Sequence, residues 1–271
     1  MIVDRAIMSY RLQSKILPQV IRIRPEDNVQ NMNRARIAER IDLLSRDKKA
    51  FKYYLDFFYQ NETFIGPSIY FHKRVINLIR TNSLLSLLEN EHFIEYIYAT
   101  LASWGMHRMG EGGSKMRDFA EFKQSIISSS DMFLELGKLR LDTLTEDNKK
   151  HAFSLLGQLF TSLRVMESDS NLVGNSKVIH HILPDLVPPI DRQYTIRFFY
   201  GNLKSKYSPM YDKEEEAILF ADIMNCFYTI CRRLSLTEND FDKTRPMNTS
   251  IPKVIDNAII GFVLSENSKQ P

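Results

Sequence analysis

The chain has 271 residues, 44% apolar and 25% charged, proportions of an ordinary globular protein that set aside disordered and membrane-embedded classes. A net charge of +3 is too small to make the whole surface attractive to nucleic acid, so any such contact has to be local. Ten glycines and ten prolines are few for an all-β chain, no run of about eighteen apolar residues occurs, and the charged N-terminal stretch lacks a signal-peptide core.

In chain order, Arg5, Arg11, Lys15, Arg22 and Arg24 form a basic stretch without acids, and residues 20–24 alternate like a short strand. From residue 26 the period becomes helical, with Val29, Met32, Ile37, Ile41 and Leu44 on one face. Phe51, Tyr54, Leu55 and Phe58 mark a second helix, ended by Asn61 and the Gly66-Pro67 break. Residues 68–80 and 83–88 read as short helices, and 91–104 as an amphipathic one whose aromatic stripe belongs to a core. Four of the ten glycines then fall in a loop, residues 104–117, that also carries the only tryptophan, Trp104, with His107, Arg108, Lys115 and Arg117. Flexible backbone beside basic and aromatic groups suits an approach to a ligand or a phosphate backbone, although no Walker pattern is present. Further helices are expected at 116–128, 130–140 and 145–166. After the central stretch come helices at 192–200, at 212–233 from a capping-box start, and at 251–264 with Pro252 in its first turn. Cys226 and Cys231 read as free thiols of a reducing, cytoplasmic compartment. The periodicity specifies an all-α protein.

Residues 171–191 concentrate the chemistry. Gly174-Asn175 reads as a tight turn, because glycine adopts a left-handed backbone freely and asparagine tolerates it. Ser176 then caps a short helix, whose start would expose N–H groups suited to a phosphate. Lys177 sits in the first turn, where the helix dipole slightly disfavours a cation. Pro184, Pro188 and Pro189 stiffen an elbow that delivers Asp191 to the next helix start, where its plain role is an N-cap. His180 and His181 lack metal-ligand spacing; one is expected in the core and the other at the surface or the site. Arg192, Arg197, Lys204 and Lys206 form a second basic patch without acids.

This order of hairpin, lysine, short helix, proline elbow and aspartate resembles the helix-hairpin-helix DNA glycosylases, and more closely their bacterial 8-oxoguanine-glycosylase-like branch. The resemblance covers residues 145–201, within a single unit over 1–271, and implies two helical lobes with a cleft. It implies that Gly174, Asn175 and Ser176 grip the DNA backbone, that Lys177 is a nucleophile and that Asp191 is the essential carboxylate. The chain departs from the family in having one hairpin glycine and a shorter helix between lysine and aspartate. In that setting Arg192, Arg197 and Lys204 are candidate phosphate contacts, and Trp104, His107 and Tyr194 candidate walls of the base pocket. No metal or cofactor is expected, since the chain lacks a four-cysteine iron–sulfur loop and the zinc deaminase signature. The implied protein is a monomeric DNA glycosylase that flips and excises an oxidised purine or a hypermodified base of foreign DNA from a duplex. The alternative is a catalytically silent helical DNA-binding module of a bacterial defence system.

Overall fold

The structure is a computed structural model that describes residues 27–61, 66–107, 115–167, 171–201 and 213–268. The chain divides into Met1–Arg36 and Ile37–Pro271, and the elements below concern the second unit and the helix that enters it. The basic stretch at 5–24, its short strand, Lys204 and Lys206 lie outside the described residues. Among those described the protein is all-helical, with twelve α-helices and no strand.

Helix α1 (Asp27–Leu44) leads to α2 (Lys48–Gln60), whose N-cap Asp47 accepts from the Ala50 N–H. Helices α3 (Pro67–Thr81), α4 (Leu84–Leu88) and α5 (Glu91–Leu101) follow at the breaks that Asn61, Gly66 and Ser83 announce. Short helices α6 (Phe119–Ile127) and α7 (Ser130–Leu136) precede α8 (Glu146–Ser162), which opens with a capping box between Thr145 and Asn148. Then come α9 (Leu172–Ile182), α10 (Arg197–Tyr200), α11 (Lys213–Leu234) and α12 (Ile251–Asn267). Helix α8 stops at Ser162, with Leu163 extended, four residues before the expected end.

Two helices organise the rest. Helix α9 is buried on every side, Val173 excepted, and packs against α3, α5, α8 and α11. Helix α12 lies along α2 at very short range: a Cβ on Gly261 would come within 1.9 Å of the Tyr54 carbonyl oxygen. Helices hydrophobic all round belong inside a protein. Hydrogen bonds tie the elbow after α9 to its surroundings, with Arg80 gripping Asp185 through both nitrogens (2.5 and 2.7 Å) and Arg140 bridging Asp185 and Glu238. That clamp fixes the chain just before it reaches Asp191.

Candidate active site

Helix α9 corrects the first expectation. Gly174 and Asn175 do not form a turn; they lie inside one continuous helix that begins at Leu172 after Asn171. Gly174 has an ordinary helical backbone, and its lack of a side chain serves packing, since a Cβ there would meet Met166 Sδ at 2.5 Å. Asn175 donates its side-chain amide to the Phe160 and Leu163 carbonyls (2.9 and 3.4 Å), closing the end of α8. Ser176 bonds both the carbonyl and the N–H of Ile190 (3.4 and 3.3 Å), fastening the helix to the proline elbow. All three residues are buried, so a grip on a DNA backbone does not fit these positions.

Lys177 is the next residue, and it is only 8% exposed. Its Nζ lies over the Trp104 ring, 5.3 Å from the centroid, where the negative face of the indole attracts a cation. Burial pushes its pKa down; the Asp191 and Asp256 carboxylates oppose that shift, and the Lys253 ammonium adds to it. Trp104 is placed by a π-turn, Ala102–Met106, in which Gly105 takes a positive φ of 81°. The indole N–H donates to the Ser68 carbonyl at 3.3 Å. His107 ends the same turn, exposed, with Nδ1–H donating to the Ala102 carbonyl at 2.5 Å.

Three imidazoles cluster beside Trp104, His72 and His181 in ring contact with it and His180 stacked on His72. His181 and His72 share a hydrogen bond between Nε2 and Nδ1 (3.1 Å), and their rings lie 5.1 and 5.6 Å from the indole. His181 Nδ1–H donates back to the Lys177 carbonyl, and His180 Nδ1–H to the Val187 carbonyl, both at 2.7 Å. Both helix histidines are fully buried, so neither reaches the surface, and His181 lies against Trp104 at the site. Burial holds His72 and His180 well below the usual imidazole range and His181 at about 4, so all three are neutral near pH 7.

Asp191 emerges from the elbow in extended conformation and caps a π-turn, Arg192–Ile196. Its Oδ1 accepts from the Tyr194 N–H (2.7 Å), and its own N–H donates to Thr195 Oγ1 (3.3 Å). Among the described residues no donor reaches its second carboxylate oxygen, and the side chain stays partly exposed. Tyr194 is half-buried and packs, as Trp104 does, on the small cluster of Phe58, Met247 and Ile260. Beneath the turn, the Thr195 hydroxyl donates to Asp256 Oδ1 (3.3 Å), and Lys253 Nζ donates to Asp256 Oδ2 (2.7 Å) and Asn257 Oδ1 (2.6 Å).

The structure therefore brings Lys177, Asp191, Trp104 and Tyr194 into one neighbourhood, whereas His107 is exposed and bonded to the Ala102 carbonyl rather than to any of them. Arg192 is exposed beside Asp191, and Arg197 is half-buried and bonded to Asn267 (2.6 Å). Sequence reasoning missed His72, Thr195, Lys253 and Asp256. For the last two a signal existed: charges three residues apart in an otherwise apolar helix are expensive unless paired. For His72 there was none. Among the described residues no group of His, Cys, Asp or Glu is arranged to hold a metal ion, and no helix is long and apolar enough to cross a membrane. Comparisons of the chain with protein-family models, curated proteins and solved structures find no match.

Proposed function

We propose that the chain is a DNA glycosylase that keeps the lysine and aspartate of the helix-hairpin-helix kind without its hairpin, and in which Lys177 and Asp191 form the reactive pair. The observation that carries this reading is the Lys177 amine: desolvated, laid on an indole face, and within electrostatic reach of a partly exposed carboxylate. A lysine whose proton is loosened by burial is a nucleophile rather than a surface charge. The enzyme flips a nucleotide out of the duplex at a cost of a few kcal/mol, least for a destabilised pair. The neutral amine attacks C1′ of the flipped nucleotide, the C1′–N bond breaks, and the base leaves with the bonding electrons and a proton. Asp191 stabilises the oxocarbenium-like sugar, takes the proton that the attacking amine sheds and passes it to the departing base. Ring opening then gives a Schiff base, which water hydrolyses to an abasic site or which eliminates the 3′ phosphate.

Arg192, next to Asp191 and exposed, is the first candidate for a phosphate contact, followed by Arg197 and, from the sequence alone, Lys204. Trp104 and Tyr194 offer the aromatic faces against which an extruded base would lie. An oxidised purine and a hypermodified base of foreign DNA are the two substrate classes.

The test incubates end-labelled duplexes carrying different base lesions, and modified phage DNA, with wild-type protein and Asp191→Asn, followed by hot alkali. Alkali-labile breaks from the wild type, lost in Asp191→Asn, support the reading. DNA binding without breaks on any substrate would sink it in favour of a silent DNA-binding module.

A further inference from the structure

Below the reactive pair lies a second charged pair that no surface chemistry explains. Lys253 and Asp256 occupy the first turns of α12, among the most buried side chains of the protein, and ion-pair at 2.7 Å. Buried ion pairs are weak sources of stability, because desolvation cancels most of the attraction, so the position of this one calls for another account. Asp256 reaches the site by one short path: its Oδ1 accepts from Thr195 Oγ1, and that same hydroxyl accepts from the Asp191 N–H. The hydroxyl has one proton and two lone pairs, so both bonds are satisfied together.

The remaining Asp256 oxygen is taken by Lys253, whose ammonium is further held by Asn257 Oδ1. Asn257 in turn donates to the Met247 carbonyl and to Asn248 Oδ1 (3.0 and 3.2 Å). Each link is therefore fixed from behind, down to the backbone before α12.

We infer that Asp256, held by Lys253, is a positioning residue: through the Thr195 hydroxyl it sets the turn that presents the Asp191 carboxylate to Lys177. The inference rests on the role proposed above for Lys177 and Asp191, but it concerns a property of the protein without DNA. The charged and titratable groups gathered here are Lys177, His180 and His181 of α9, His72 of α3, Asp191, and Lys253 and Asp256 of α12. With the histidines neutral, two ammoniums face two carboxylates.

The titration of Lys177 reports where Asp191 sits, because the carboxylate favours the charged amine. It is followed by NMR of protein carrying 13Cε-labelled lysine, with the signal assigned by Lys177→Arg. Asp191→Asn lowers the Lys177 midpoint and calibrates the scale. Thr195→Val is expected to lower it by a comparable amount, Thr195→Ser to restore it, and Thr195→Val in the Asp191→Asn background to add nothing. Lys253→Met/Asp256→Leu removes the two buried charges together and so keeps the fold; it too is expected to lower the midpoint, with no further change on adding Asp191→Asn. With a purely structural role Thr195→Val would alter the melting temperature and leave the Lys177 midpoint in place, and Lys253→Met/Asp256→Leu, whose charges also act on Lys177 directly, would still respond to Asp191→Asn. The inference is overturned if Asp191→Asn leaves Lys177 unmoved, if it moves Lys177 while Thr195→Val does not, or if it moves Lys177 as far in the Lys253→Met/Asp256→Leu background as in the wild type. No DNA enters the measurement, so excision could fail on every substrate while the relay stands, or succeed while the relay falls.

Discussion

Two lysines are buried among the described residues, and their surroundings are opposite. Lys253, 1% exposed, is clasped by a carboxylate at 2.7 Å and an amide oxygen at 2.6 Å. Lys177, 8% exposed, makes no hydrogen bond through its ammonium among the described residues and has an indole face at 5.3 Å. Its counter-charges act from a distance. A fully paired charge is locked, whereas a charge compensated only at range can give up its proton. On the proposed reading, the difference separates the framework of the site from its chemistry.

The largest effect expected of a single substitution breaks the framework side of that contrast. Lys253→Met leaves Asp256 unpaired in the interior and should cost about 3–5 kcal/mol, whereas Lys253→Met/Asp256→Leu should recover most of it. Lys177→Met, which removes a desolvated charge and keeps its volume, should cost less than about 1 kcal/mol. Urea unfolding of the three variants measures this, and equal losses for Lys177→Met and Lys253→Met would erase the distinction.

Acid comes next. His72, His180 and His181 are neutral in the folded chain and take protons on unfolding below their ordinary pKa of 6.5. Stability therefore falls as pH drops from about 6.5 towards 4, each histidine contributing up to about 1.4 kcal/mol per pH unit. Asp256 acts in the other direction: burial raises its carboxyl to about 6, above the unfolded value, so protonation there returns part of the loss below pH 6. Three groups against one leave a net loss on acidification. Melting temperatures that stay level between pH 7 and 4.5 would contradict the buried, neutral histidines.

The smallest effect concerns the start of α9. Gly174→Ala should cost about 1–3 kcal/mol from overpacking against Met166, a loss that the better helix propensity of alanine, roughly 1 kcal/mol, only partly offsets. Were Gly174 a left-handed hinge instead, relieving the crowding with Met166→Ala would not rescue the variant; here it should.

How much of this was legible in the sequence follows from the kind of signal each residue left. Helices were readable wherever one apolar face alternated with a polar one, as in α2 and α5, or where a breaker stood at the boundary, as at Asn61, Gly66 and Gly201. The Gly174-Asn175-Ser176 run misled because its residue types are those of turns. In this fold the same small and polar groups serve a helix packed on all sides: one makes room for Met166, one closes α8, and one holds the elbow. Asp191 was legible because prolines before it and a helix start after it fix its place locally. The Thr195–Asp256–Lys253 relay was not, since it joins elements 61 positions apart and contact across such a separation leaves no periodicity to read. Gathering Trp104 with Lys177 likewise depends on how α5 lies against α9.

The most direct measurement of the account is borohydride trapping on a duplex that carries an abasic site, whose ring-opened aldehyde needs no knowledge of the excised base. The account predicts a covalent protein–DNA adduct that mass spectrometry maps to Lys177 and that Lys177→Met abolishes. An adduct on a different lysine, or none from protein that binds the duplex, would contradict it.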